Sequence, residues 1–190
     1  MQHKLNQLRA SCIKFAKLFF FTLAATSMYV GDAPAYAEVS EKDLKIISRT
    51  VSFLESVTSP TVLMAVIEES ANPNSVKDAD KIIAFFTANA KAGKKNLVAQ
   101  KVSASDLYPL KEVDVVFIPS GLEAFHEAIG QQAVTLKILA VSTDDNCVKN
   151  NHCATSVKST PRVEILVNQA LAEQSGIKFN SAFLMLVKKQ

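Results

Sequence analysis

Tryptophan is missing from the 190 residues, glycine occurs only five times, and cysteine only three times. Each scarcity closes a class of function. The glycines stand singly, so there is no glycine-rich loop to cradle a phosphate, and no G-x-S-x-G elbow presents a nucleophilic serine. Three cysteines are too few for the dense disulfide framework of a small secreted scaffold. The one long apolar run, "LFFFTLAATSMYV", falls short of the ~20 residues that a membrane span needs.

That run is part of an address. Before it lie Lys4, Arg9, Lys14 and Lys17 with no acid among them, and after it the small-residue pattern Ala35-Tyr36-Ala37. A basic segment, an apolar segment and a small-residue site predict a secretory signal over residues 1–37, cut before Glu38 and carrying Cys12 away with it. The domain expected to remain is 38–190, periplasmic, with no membrane insertion after cleavage. The leader's four cations and Asp32 account for the whole +3 charge. A near-neutral domain without a basic run gives no reason to expect nucleic acid as a partner. Its size allows a single ordinary core.

The remaining cysteines, Cys147 and Cys153, fall in "NCVKNNHC". In an oxidising space they are each other's only partners within the chain, so a disulfide staple is favoured. A metal site is not favoured: Cys147, His152 and Cys153 are one ligand short of a closed zinc site and lack its spacing, although Asp144 and Asp145 could be recruited. A redox pair would be C-x-x-C at a helix start.

Helical and strand periods alternate along the domain. "SEKDLKIISRTVSFLESV" opens at an N-cap Ser40 and puts Leu44, Ile47, Val51 and Leu54 on one face. A strand follows at 61–67, then a helix capped by Ser75 and stopped at Gly93. Strands at 96–102 and 113–119, a helix closed by Gly130, and a strand at 136–142 come next. Beyond the cysteine loop, 154–159 and 162–168 read as a hairpin about Thr160-Pro161, and two short helices end the chain. The pattern predicts an α/β fold: a single-domain three-layer sandwich whose mostly parallel sheet carries an antiparallel edge hairpin.

Such sheets bind ligands beyond the C-terminal ends of their strands. Two ends qualify as ligand-binding candidates, Ser120-Gly121 and Ser142-Thr143-Asp144, although an N-cap and a turn explain the same residues. His126, between Glu123 and Glu127, has no nucleophile beside it, and Glu68-Glu69 point to opposite faces of a strand. No catalytic residue, metal or cofactor is assigned.

The segment "RVEILVNQALAEQSGIKFNSAFLMLVK", with its Asn168…Gly176…Ser181 spacing, resembles the C-terminal signature of the YfiR-type (YfiR/HmsC) periplasmic family. "ISRTVSFLES…P", "VDVVFIPSG" and "LKILAVSTDDNC…C" match its earlier pieces in order. The chain departs from that family in lacking an aromatic before Pro60 and a glycine-rich disulfide loop. The resemblance implies a non-enzymatic regulator that binds the periplasmic sensor domain of an inner-membrane protein, a diguanylate cyclase, and so tunes cyclic di-GMP and biofilm formation. A contact face for that partner is expected at Phe183, Leu184, Leu186 and Val187, although for Leu184 and Val187 closing the core is the preferred reading. A homodimer is a second expectation, and reduction of Cys147–Cys153 a conceivable switch. The alternative is a single-lobed periplasmic small-solute binding protein.

Overall fold

The computed structural model describes residues 38–190; the leader and Cys12 lie outside them. Helix α1 (Glu41–Ser52) starts at a full capping box, in which Ser40 and Asp43 satisfy each other's backbone N–H groups. It buries Leu44, Ile47 and Val51. Strand β1 (Thr61–Glu68) leads into α2 (Pro73–Ala88), whose cap is Asn72 rather than the expected Ser75. Pro73 at the first helical position fixes that earlier start, and Ser75 is buried, accepting the Glu69 N–H at 2.9 Å. The helix ends at Ala88, before a tight hairpin in which β2 (Lys91–Ala92), missed in the sequence reading, precedes β3 (Lys95–Ser103), the strand expected at 96–102. Gly93, at φ 64°, belongs to that turn and does not stop the helix.

A single-turn 3-10 helix (Tyr108–Glu112) carries the chain to β4 (Val115–Ile118). Another (Glu123–Phe125) opens α3 (His126–Leu136), which runs through Gly130 and ends on Lys137 in the left-handed region. The strand expected from 136 therefore begins later, as β5 (Leu139–Ser142). The cysteine segment coils into α4 (Asp145–Lys149). Strands β6 (Thr155–Lys158) and β7 (Glu164–Val167) pair antiparallel, joined through a cis Thr160–Pro161 bond. Helices α5 (Gln169–Gln174) and α6 (Ser181–Leu184) follow. The last apolar stretch leaves the helix after one turn and ends in β8 (Lys188–Lys189).

The eight strands form one sheet in the order β2-β3-β1-β4-β5-β6-β7-β8, with β3, β1, β4, β5 and β6 mutually parallel. This is the flavodoxin-like winding, whose switch point falls between β1 and β4. The hairpin is not itself the edge, because β8 adds parallel to β7. One core, under α1, α2 and the C-terminal segment, joins Val62, Met64, Val66, Phe86, Phe117 and Phe183. The other, under α3 and the cysteine segment, joins Ala65, Ile67, Val102, Val116, Ile118, Ile129 and both cysteines.

The sheet is covered on both faces except at one place. A 3-10 turn replaces a full crossover helix between β3 and β4, so the second face is bare at the start of β1 and β3. Cross-strand neighbours Leu63 and Val98 are left 39% and 51% exposed there.

Candidate functional site

The strand ends singled out from sequence do converge, but their polar groups are spent on one another. Buried Ser142 donates to the Ile118 carbonyl at 2.8 Å and accepts the Asp144 N–H at 3.0 Å, tying β5 to β4. Thr143 accepts the Ser120 N–H at 3.1 Å and shares a hydroxyl contact with Ser120 at 3.0 Å. The Gly121 N–H, at the first of these strand ends, donates to Glu123 Oε1 of its own chain at 3.1 Å. Asp144 caps α4 through the Asn146 N–H.

Ser120 and Thr143 face a crevice of about 110 Å³ that also touches Ser40, Asp43, Val157 and Ser159. Its remaining walls belong to the chain entering α1. Val39 is buried, with its N–H 3.3 Å from Asp78 Oδ2, and Ser40 Oγ lies 3.2 Å from Ser159 Oγ. Glu38 is clamped by Lys81 at 3.0 Å and Lys77 at 3.8 Å, and these cations hold its carboxyl below the usual range. Small-molecule pockets usually offer ~300 Å³ or more, and this crevice is well below that size.

His126 is 3% exposed, and its Nε2 has no hydrogen-bond partner. Burial pushes its pKa below the usual imidazole value, partly opposed by the Asp144 and Glu123 carboxylates. An imidazole buried this way packs as a core residue.

Cys147 and Cys153 are bonded, with Cα atoms 5.1 Å apart, and both are fully buried. The pairing read from the sequence is therefore present, but in a short helix and turn packed into the core rather than in a polar loop. The His152 carbonyl lies where a Cβ on Gly130 would stand, 2.3 Å away, so Gly130 is set by close approach of this segment and not by helix termination. Among the described residues no group of three or more His, Cys, Asp or Glu side chains could hold a metal ion. Buried Asn168 ties the segment to α5: its Oδ1 accepts the Leu171 N–H and its Nδ2 donates to Asn151 at 2.7 Å.

The expected contact face needs one correction. Phe183 is 2% exposed, lying between Phe53 and Phe179 with ring centroids 5.2 and 5.0 Å away, so it cannot meet a partner. Leu184 and Val187 are partly buried against the same core. Leu186 is 76% exposed, and Met185, which the helical reading passed over, is 85% exposed. Because α6 stops at Leu184, the next two side chains leave the helical register and project outward. Beside them a groove of about 360 Å³ is lined by Val167, Ala172, Ile177, Phe179 and Leu184, with Glu55, Glu173 and Lys178 among its polar residues.

These features define a flavodoxin-like α/β domain whose strand-end crevice is filled from within and whose apolar corner lies at the C-terminal edge. The sequence of residues 57–188 matches the YfiR/HmsC-like family, and the chain belongs to that family. No curated protein matches it significantly. Among solved structures it is similar to a conserved domain protein from Vibrio cholerae O1 biovar El Tor (TM-score 0.61, 12% identity), covering 80% of this chain and 61% of that one. It is also similar to an ABC domain in complex with L-Trp from Streptococcus pneumoniae (TM-score 0.58, 12% identity), covering 78% of this chain and 59% of the other. The chain thus spans less than two thirds of either structure, and at such identity the likeness concerns the fold alone. Among the described residues no helix is long and apolar enough to cross a membrane.

Proposed function

We propose that this chain is a non-enzymatic periplasmic regulator that binds the periplasmic sensor domain of an inner-membrane protein. The partner is a diguanylate cyclase, which the regulator represses, lowering cyclic di-GMP and biofilm formation. The observation that carries this reading is membership of the YfiR/HmsC-like family over residues 57–188. The corner at Met185 and Leu186 supports it physically. Two neighbouring apolar side chains this exposed lose favourable burial in the free protein, and the adjoining apolar groove with charged residues at its rim has the anatomy of a contact site.

The test is recovery of an identified cyclase from solubilised inner membrane, comparing the wild-type protein with a Met185→Asp, Leu186→Asp double variant. Retention of the cyclase by the wild type and an about tenfold loss in the variant are expected. Equal retention moves the contact face elsewhere, and retention of no membrane protein ends the regulator reading. The alternative, a single-lobed small-solute binding protein, draws on fold likeness and meets the obstacle of a 110 Å³ crevice. A ligand at 100 times its dissociation constant adds about 2.7 kcal/mol of stability, so a thermal-shift screen separates the two.

A further inference from the structure

A cleft of about 410 Å³ opens between α3 and α5, above the turn that follows the disulfide helix α4. Unlike the strand-end crevice, it exceeds the ~300 Å³ at which small-molecule sites begin. Its floor is stiff. The backbone N–H groups of Asn150, Asn151 and His152 are spent on the carbonyls of Asn146, Val148 and Cys147 at 2.9, 2.9 and 2.8 Å. The Cys147–Cys153 bond and the close approach of Gly130 hold the same turn from beneath. Asn151 takes a left-handed φ of 62°, which asparagine tolerates better than most side chains. Buried Asn168 fixes its Oδ1 at 2.7 Å, and the Nδ2 donors of Asn151 are left over.

The walls continue this chemistry. Helix α3 contributes Glu127, Gln131 and Thr135 at helical spacing, and α5 contributes Gln174. Gln131 Nε2 reaches Glu127 Oε1 at 3.2 Å, so that row is already ordered. Among the described residues, no hydrogen bond engages the side chains of Asn150, His152 or Gln174. Half-buried Val134 and Leu171 supply a narrow apolar strip. Among the described residues no Lys, Arg, Phe or Tyr lines the cleft, and its one carboxylate, Glu127, repels anions. Phosphates and acids are therefore poor occupants. We infer that the cleft binds a neutral saccharide. The amides of Gln131, Asn150, Asn151 and Gln174 and the Glu127 carboxylate meet its hydroxyl groups, and the C–H face of a sugar ring rests on Val134 and Leu171. Without an aromatic platform a single ring is held weakly, so an oligosaccharide is the better occupant of a cleft this open. Helix α5 divides the cleft from the C-terminal groove: Leu171 and Gln174 face the first, Ala172 and Glu173 the second. A saccharide here leaves the corner free, and the inference does not rest on the regulator reading.

The test is amide NMR of nitrogen-labelled protein, expressed from the full sequence and purified after export. It is titrated separately with cellotetraose, with the tetramer of N-acetylglucosamine and with the anionic tetragalacturonate. Saturable shifts centred on α3, α5 and residues 150–152 are expected for at least one neutral tetramer, with a Kd of about 1 mM. Asn150→Ala and Gln174→Ala, at exposed side chains with no internal hydrogen bond to lose, should each raise Kd about threefold or more. The Met185→Asp, Leu186→Asp variant should bind as the wild type does, which separates this site from the partner corner. The tighter of the two neutral tetramers then tells a plain glycan from an N-acetylated one, and equal binding supports the class as a whole. Absence of shifts at about 10 mM of both, ten times the expected Kd, overturns the inference. So do shifts that map outside the cleft, binding indifferent to both substitutions, or tetragalacturonate binding as tightly as the neutral tetramers.

Discussion

Gly130→Ala provides a test of sign. Gly130 lies inside α3, where helix propensity alone predicts that alanine stabilises the protein by about 1 kcal/mol. The packing predicts the reverse. The new Cβ would stand 2.3 Å from the His152 carbonyl oxygen and 3.0 Å from its carbon and Cα, about 1 Å inside a normal carbon–oxygen contact of ~3.3 Å. The obstacle is backbone, pinned by the Cys147–Cys153 bond one residue away, so it cannot swing aside as a side-chain tip would. Overpacking of this kind costs about 1–3 kcal/mol, and a pinned carbonyl belongs at the upper end of that range. Net destabilisation of about 2 kcal/mol follows, lowering Tm by about 4–8 °C. Urea and thermal unfolding followed by circular dichroism would measure it. In a Cys147→Ala, Cys153→Ala background the segment can retreat, so the cost of Gly130→Ala should shrink by at least half in a double-mutant cycle. An unchanged or raised Tm in the native background refutes the packing argument.

Other expectations follow from single contacts. Asn168→Ala removes the cap of α5 and the bond to Asn151 together, and should cost about 1–3 kcal/mol in urea unfolding; a change within 0.3 kcal/mol would show that the bridge is idle. For His126, burial depresses the folded-state pKa, so its contribution to stability is complete above the unfolded value of 6.5 and is lost as pH falls from there through the folded value. Wild-type Tm should therefore decline faster than that of His126→Gln below pH 6.5, and parallel profiles would contradict this. The Asp144 and Glu123 carboxylates face the ring and partly oppose the shift of His126, and His152 adds to it, so the comparison must be with the variant. Because both cysteines are fully buried, native-state reduction followed by alkylation should track unfolding in a urea series; rapid reduction without urea would show a local opening and revive a redox switch.

The parts legible in sequence are those governed by local periods. The strands at the centre, the cap at Ser40 and the cysteine pairing depend on apolar runs, a box motif and a count of two. Elements governed by close approach were not legible. Gly130 looks like a helix stop from sequence because its real constraint, the His152 carbonyl, arrives from 22 positions further along. The Ser120–Thr143 pair was found by the rule for strand ends, yet the same rule could not say that residues 38–43 would close the crevice. Met185 was missed for a third reason. A helical reading of "SAFLMLVKK" assigns faces by rotation, and the helix stops after one turn. The bare face at Leu63 and Val98 reflects a short crossover whose length is plain in the sequence but whose reach is not.

The buried disulfide also constrains how the molecule is made. Its two cysteines are only six positions apart, so their segment can close on itself in a time far shorter than the assembly of an eight-stranded sheet. Once the sheet and α3 have enclosed the sulfurs, an enzyme oxidant has no path to them. Oxidation therefore belongs to the interval when the chain is still open, ahead of the non-local pairing of β5 with β6. A chain that misses this interval would reach a folded shape with two sealed thiols, and only unfolding would give it a second chance.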